Sequence, residues 1–322
     1  MMFKTSSLRL VSGVRQMIKD YILGEQITAF LLLKQIELKI SESGSRLALV
    51  LGDRTGDIEA VVWNEPEFVK SEIEGAEVVK VQGLVSSYRN KPQITIEKIR
   101  KAEAGEFNPD DLKRASSVPP EKLKEEFLAI AESITEPNLR TLLLNFSGDE
   151  ELFDKWLKRP AGKKFHHDYI SGLADHSLSL ARAADLICRN YSFLDRDLLV
   201  TGALLHDVGK TIEFEGEIVY DYSDAGRLIG HLAIGDHIVA DMVKDIEDFP
   251  ERLALKLRHL ILSHHGELIK GAVVHPKTRE AYVLNLLDEI DSRLDAINKI
   301  GEKADDIWSE YIKPLEDFLF FG

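Results

Sequence analysis

The stretch Ala203-Leu204-Leu205-His206-Asp207-Val208-Gly209-Lys210 decides how the second half of this chain is read. An apolar run delivers a histidine and an aspartate side by side, then a glycine and a lysine. Neighbouring residues on a helix point about 100° apart, so His206 and Asp207 reach one region from two directions. A neutral imidazole offers one lone pair to a metal, and a carboxylate can bridge two metals. By itself the pair reads as a helix end meeting solvent. The rest of the chain changes that reading.

Matching residues stand at His176, His231, His264, His265 and Asp288. His176 shares a helical face with Leu180, Ala184 and Ile187, and His206 lies on the face of Leu199 and Ala203. His231 falls with Leu228, Ile234 and Ile238, and His264 with Leu257, Leu260 and Ile261. Each histidine points the way its apolar stripe points, towards a core. A single such histidine is ordinarily a hydrogen-bonded core residue. Several from separate helices, with Asp207 among them, are hard to satisfy except around metal, because buried polar groups need partners. Asp288 has a second reading, as part of a solvated acidic face with Asp291 and Asp295.

In this order the residues resemble the HD superfamily of metal-dependent phosphohydrolases, an all-helical fold. Its pattern is a histidine, a later His-Asp pair and a last aspartate. The additional histidines resemble the subgroup that holds two metals. On that resemblance His176, His206, Asp207 and Asp288 take one ion, and Asp207, His231, His264 and His265 the other, so Asp207 bridges.

The 322 residues suffice for two domains with full cores. Hydrophobic content of 44% and charged content of 30% are those of an ordinary globular protein. No run is long enough to span a membrane, and the start lacks the apolar stretch of a secretory signal. Cys188 is the lone cysteine, which excludes an internal disulfide and reads as a small core residue. A cytoplasmic protein is expected.

The net charge of −14 is informative once divided. Residues 1–115 hold 17 basic and 17 acidic residues, leaving 24 basic and 38 acidic for the remainder. An acidic domain is a poor electrostatic trap for phosphates, although bound divalent metals offset the field locally. Nucleic-acid binding is therefore expected to lean on the N-terminal part.

That part reads as a small β-barrel. Over residues 28–40, Phe30, Leu32, Ile36, Leu38 and Ile40 are expected on one face, with Gln35, Glu37 and Lys39 on the other. Runs at 46–51 and 57–63 flank a Gly-Asp-Arg-Thr-Gly turn and predict a hairpin. A short helix fits 65–73, and two last strands fit 77–85 and 93–99. Three strands, a helix and two strands is the order of an OB-fold, a barrel often used for oligonucleotides but also for sugars and proteins. The expected architecture is therefore multidomain. An all-β OB-fold spans 1–103 and a Pro- and Ser-bearing linker 104–120, before an all-α HD-type domain over 121–322.

Within the barrel, Trp63, Tyr88, Arg89 and Lys91 combine aromatic rings with basic groups, which suits a single strand with bases stacking and phosphates paired. Trp63 also reads as plain core at a strand end. In the second domain Gly162-Lys163-Lys164-Phe165-His166-His167 is a basic stretch before the first ligand. His166 and His167 read either as rim residues that meet phosphate or as an ordinary polar loop.

Taken together, the two halves resemble the YhaM-type 3′→5′ exoribonucleases. The resemblance is carried by Gly56-Asp57-Ile58-Glu59-Ala60 and Trp63, by His166-His167 to Gly172-Leu173, and by Ile261-Leu262-Ser263-His264-His265-Gly266. It implies metal-dependent hydrolysis of single-stranded RNA from the 3′ end, with single-stranded DNA as the wider substrate class. One departure is Asn285, which stands where that family's Leu-His-x-x-Asp pattern has a histidine. Coordination to a divalent metal lowers the pKa of water and makes a nucleophile available near neutral pH. Histidine-rich ligation favours manganese, iron or another transition metal over magnesium. Lys210 reads either as a contact to a non-bridging phosphate oxygen or as a helix C-terminal charge. Two rival functions stay open: a phosphodiesterase or nucleotidase on small nucleotides, and a non-catalytic single-strand-binding protein. Against the first, His264-His265-Gly266-Glu267-Leu268 lacks the Gly-Tyr-Pro signature of the cyclic-dinucleotide branch.

Overall fold

The structure is a computed structural model that describes residues 17–41, 44–89, 91–103, 105–113, 115–162, 167–216, 220–301, 307–312 and 317–322. They fall into two units, Met1–Arg114 and Ala115–Gly322.

In the first unit β1 (Gln26–Ser41), β2 (Gly44–Asp53) and β3 (Gly56–Val62) form an antiparallel meander. Helix α1 (Pro66–Ile73) follows, then the hairpin of β4 (Val78–Tyr88) and β5 (Lys91–Lys101). The order β1-β2-β3-β5-β4 closes as a barrel, sealed by parallel pairing of Glu59–Val61 with Gln93–Thr95. β1 serves both neighbours, its first half pairing with β4 and its second with β2.

The expected single apolar face of β1 is corrected here. A bulge between Leu33 and Gln35 shifts the register, and an inserted residue turns alternate side chains over. Before the bulge Ile27, Leu31 and Leu33 fill the barrel; after it Ile36 and Leu38 pack against the same core. Phe30 instead meets Phe107, ring centres 6.0 Å apart, and Leu32 is buried outside the barrel core. The stretch expected as a linker divides between the units. Leu112 of α2 (Pro109–Leu112) is buried in the first, while Ser116 N donates to Ile170 O at 2.9 Å in the second.

The second unit is helical. Helices α3 (Pro120–Ser133), α4 (Pro137–Gly148) and α5 (Glu150–Lys158) bring Phe127, Phe146, Phe153 and Trp156 together, with Phe153 stacked on Trp156 at 5.5 Å. All four are buried, so truncating Phe127 to alanine would cost about 3–5 kcal/mol. α6 (Gly172–Asn190) and α7 (Arg196–Leu205) pack on this base. α7 is buried from Asp197 to Leu205, which explains its nearly continuous apolar sequence. The short α8 (Lys210–Glu213) leads to a two-stranded ribbon, β6 (Phe214–Glu215) and β7 (Asp221–Tyr222). Then come α9 (Asp224–Leu228), α10 (His231–Lys244), α11 (Glu251–Ser263) and α12 (Arg279–Gly301).

His231 differs from its expected setting. Gly230, at φ 80°, separates α9 from α10, so His231 opens a new helix and Leu228 is left exposed. None of the helices is long and apolar enough to cross a membrane, among the described residues.

Candidate metal centre

Each imidazole is set by its local surroundings. His206 is the first residue past α7 and His264 the first past α11. A histidine at a helix end can fold back on one of the last carbonyls. Both do: His206 Nδ1 donates to Ala203 O and His264 Nδ1 to Ile261 O, each at 2.8 Å. His265 Nδ1 donates to Lys270 O at 3.1 Å, His231 Nδ1 to Glu213 Oε1 at 2.9 Å, and His176 Nδ1 to Asp291 Oδ2 at 2.7 Å. With Nδ1 donating in all five rings, Nε2 is the atom each ring offers to a metal. Gly209 makes the assembly possible, because a Cβ there would lie 2.0 Å from His231 O.

Four of the five Nε2 atoms converge on Asp207. Its Oδ2 lies 3.2 Å from His206 Nε2 and 3.9 Å from His176 Nε2. Its Oδ1 lies 3.5 Å from His231 Nε2 and 3.6 Å from His264 Nε2. Asp288, on α12, places Oδ1 3.2 Å from His176 Nε2. His231 Nε2 and His265 Nε2 are 3.3 Å apart.

These atoms fit a metal. His206 Nε2, His264 Nε2 and Asp207 Oδ1 are buried and make no hydrogen bond. Unsatisfied buried nitrogen and oxygen lone pairs aimed at one another are costly unless a cation lies between them. Within the cluster, His231-His264-His265, His176-His206-Asp288 and His206-Asp207-His264 each bring three ligand atoms within 4.8 Å of one another.

The electrostatics agree. Burial pushes the imidazoles of His264 and His265 towards neutrality, His265 down to about 3, with the neighbouring His264 and His231 adding repulsion. Burial opposes charge on Asp207 too, but Lys210 and His206 hold its carboxyl well below the usual range. At His176 burial is outweighed by hydrogen bonds to Asp288 and Asp291, which push it up to about 9. A proton and a metal compete for that nitrogen.

Every sequence-predicted ligand is thus in one place: His176, His206, Asp207, His231, His264, His265 and Asp288. Lys210 is buried beside them with Nζ 2.6 Å from Asp207 Oδ2. Asn285 stands behind the cluster, its Nδ2 donating to His264 O at 2.6 Å.

Two expectations are corrected. Asp291 and Asp295 are not a solvated face; Asp291 supports His176, and Asp295 Oδ2 accepts the His167 N–H at 2.7 Å. His167 is buried rather than at a rim, and both ring nitrogens are engaged inside the protein, with Tyr169 Oη at 2.7 Å and Asp291 Oδ2 at 2.8 Å. His166 lies outside the described residues. Sequence reasoning missed Asp291 and Glu213. Asp291 lies three residues beyond Asp288 on one helical face, a spacing that does not separate it from a solvated acid, and Glu213 had no signal.

On the barrel, Trp63 is 55% exposed and so is no core residue, and the Arg46 guanidinium sits 5.6 Å from its ring centre. Tyr88 is 44% exposed with Arg89 5.2 Å from its ring centre, and Lys91 pairs with Tyr88 across the hairpin.

A buried His-Asp pair ringed by histidines on a predominantly helical unit defines an HD domain. The HD domain family matches residues 173–293, and an OB-fold nucleic acid binding domain family matches residues 33–102. The protein is a metal-dependent hydrolase of that class. Over 315 residues it is 33% identical to the 3'-5' exoribonuclease YhaM of Geobacillus sp. (strain WCH70), covering 94% of each chain, and it belongs to the YhaM family. Among solved structures, the second OB-fold domain of replication protein A from Methanococcus maripaludis is 19% identical, covering 29% of this chain and 98% of that one, with a TM-score of 0.24. The mitochondrial single-stranded DNA binding protein Rim1 of S. cerevisiae is 14% identical, covering 26% and 100%, with a TM-score of 0.21.

Proposed function

We propose that the protein is a metal-dependent 3′→5′ exoribonuclease that degrades single-stranded RNA, and single-stranded DNA as a wider substrate, to nucleoside 5′-monophosphates. The observation that carries this reading is the convergence of four imidazole Nε2 atoms on Asp207, with His265 Nε2 beside His231 and every one of the five rings tied back at Nδ1. The direction of attack comes from family membership.

Two divalent ions are held in this reading. Asp207 Oδ2 faces His176 and His206, with Asp288 beside them, while Oδ1 faces His231 and His264, with His265 beside them. Nitrogen-rich ligation favours manganese, iron or another transition metal over magnesium. Divalent ions there supply Lewis acidity, which acidifies water and neutralises charge on phosphate. Asp207 presents one oxygen to each half of the centre. Lys210 brings a positive charge beside it, one turn from His206, and in this reading would turn to a non-bridging phosphate oxygen when substrate is bound. The barrel supplies strand affinity, with Trp63 and Tyr88 as stacking surfaces and Arg89 and Lys91 for the backbone. The acidic helical unit needs such a partner, because charge alone would repel a long phosphate chain.

The test is incubation of a 5′-labelled single strand with manganese. A ladder of strands shortened from the 3′ end, with mononucleotides released, is expected. Mid-chain cuts, or loss from the 5′ side, would defeat the reading.

A further inference from the structure

Three of the five imidazoles in the centre lean on backbone carbonyls, which any helix end or turn provides: His206 on Ala203, His264 on Ile261 and His265 on Lys270. The other two lean on buried or half-buried carboxylates, and they fall one in each half. His176, facing Asp207 Oδ2, is backed by Asp291; His231, facing Oδ1, is backed by Glu213. We propose that Asp291 and Glu213 are positioning residues, each orienting one imidazole and setting metal affinity in its own half of the centre. This rests on the two-ion reading above.

A carboxylate behind a ligand imidazole fixes its tautomer and ring plane and raises the basicity of the opposite nitrogen. Asp291 is equipped for that. Its Oδ1 accepts from Ser179 Oγ at 2.5 Å, and its Oδ2 accepts from both His176 and His167. The carboxylate therefore has three donors from three places in the sequence and no freedom to rotate. His167 is itself held by Asp295 at its backbone and by Tyr169 at its ring, and Tyr169 Oη donates onward to Asp175 at 2.9 Å.

The backbone of His167 adds a second sign. It sits at φ 42°, the left-handed region that a residue with a side chain seldom adopts. Gly172 packs directly on it, since a Cβ there would lie 2.0 Å from His167 O. Strain of this kind persists where the surroundings over-determine it, and here the strained residue is the one gripping Asp291. Glu213 has a simpler design. One oxygen, Oε1, accepts both the Nδ1–H of His231 at 2.9 Å and its backbone N–H at 3.1 Å, which ties ring and helix start together.

The test uses the full chain with Asp291→Ala, Asp291→Asn, Glu213→Ala, Glu213→Gln and the double alanine variant. Cobalt and manganese uptake is followed by titration calorimetry and by the cobalt absorption spectrum, with melting temperature recorded in chelator. Asp291→Ala should loosen one of two ions by roughly 10–100-fold and leave the other unchanged, and Glu213→Ala should loosen the other. The double variant should loosen both, and excess metal should restore turnover in each single variant. Asn and Gln, which keep an acceptor in place, should fall between wild type and alanine, and the same comparison is made with them if an alanine variant unfolds. Both single variants loosening the same ion, or neither loosening any, would overturn the proposal while wild type still binds two. A wild-type protein that takes up no ion would overturn the two-ion reading and this one together.

Discussion

Lys210 Nζ lies 2.6 Å from Asp207 Oδ2, the same oxygen that faces His176 and His206, and both side chains are buried. The ammonium neutralises a carboxylate that would otherwise carry its charge in a desolvated pocket. Removing one partner of a buried pair typically destabilises by about 3–5 kcal/mol. Lys210→Met should therefore lower the melting temperature in chelator far more than in excess manganese, because bound metal replaces the missing charge. Paired thermal melts measure this. Equal losses with and without metal would mean that the lysine does not share the role of balancing Asp207.

Trp63 and Arg46 form the second relationship with a testable consequence. The indole is exposed at the end of β3 with a guanidinium over it, a surface that suits an unpaired base. Stacking contributes about 1–3 kcal/mol per base, so Trp63→Ala should weaken binding of a long single strand by roughly tenfold. Turnover of a dinucleotide should stay at the wild-type level, since the metal centre is untouched. Fluorescence anisotropy with a labelled oligonucleotide checks the first, and single-turnover kinetics the second.

Asp197 predicts an acid limb of stability away from the centre. Burial opposes its charge, but Oδ2 accepts from Thr135 Oγ1 at 2.6 Å, Thr135 N at 2.7 Å and Glu136 N at 2.8 Å, and Arg196 adds an ion pair. The balance holds its carboxyl below the ordinary value. A depressed pKa stabilises the fold above the unfolded-state pKa, about 3.9 for Asp, and that contribution fades as pH falls through the folded value. Asp197→Asn should cost about 1.5–3 kcal/mol at pH 7 and progressively less below pH 4. Urea unfolding at pH 7 and pH 3 checks the sign; an unchanged difference at both would contradict it.

The parts legible in the sequence are those that local rules determine. His264 ends an amphipathic helix whose apolar stripe aims it inward, and His206 ends a helix that is apolar nearly all round, so burial of both was legible. The barrel order followed from strand alternation and from turn residues between strands. The bulge at Leu33 and Gln35 was not legible, because an inserted residue leaves composition unchanged while exchanging the faces of β1. Asp291 was not legible for a different reason. Asp288, Asp291 and Asp295 on one helix face look the same whether they meet water or histidines from α6 and the 167–169 loop. The role of His167 depends on Tyr169 and Asp291, 124 residues away in the second case, and such a contact leaves no trace in spacing.

Everything proposed for the centre depends on one carboxylate, Asp207, joining two metal positions into a single hydrolytic site. The decisive measurement is elemental analysis of purified wild type and Asp207→Ala, each incubated with manganese and desalted, read beside their circular dichroism. Wild type should retain about two ions per chain, and Asp207→Ala should retain none while its helical content stays the same, since one carboxylate cannot be shared by two metals once it is gone. An Asp207→Ala protein that keeps both ions and hydrolyses labelled RNA at a substantial fraction of the wild-type rate would contradict a shared, bridging role for Asp207.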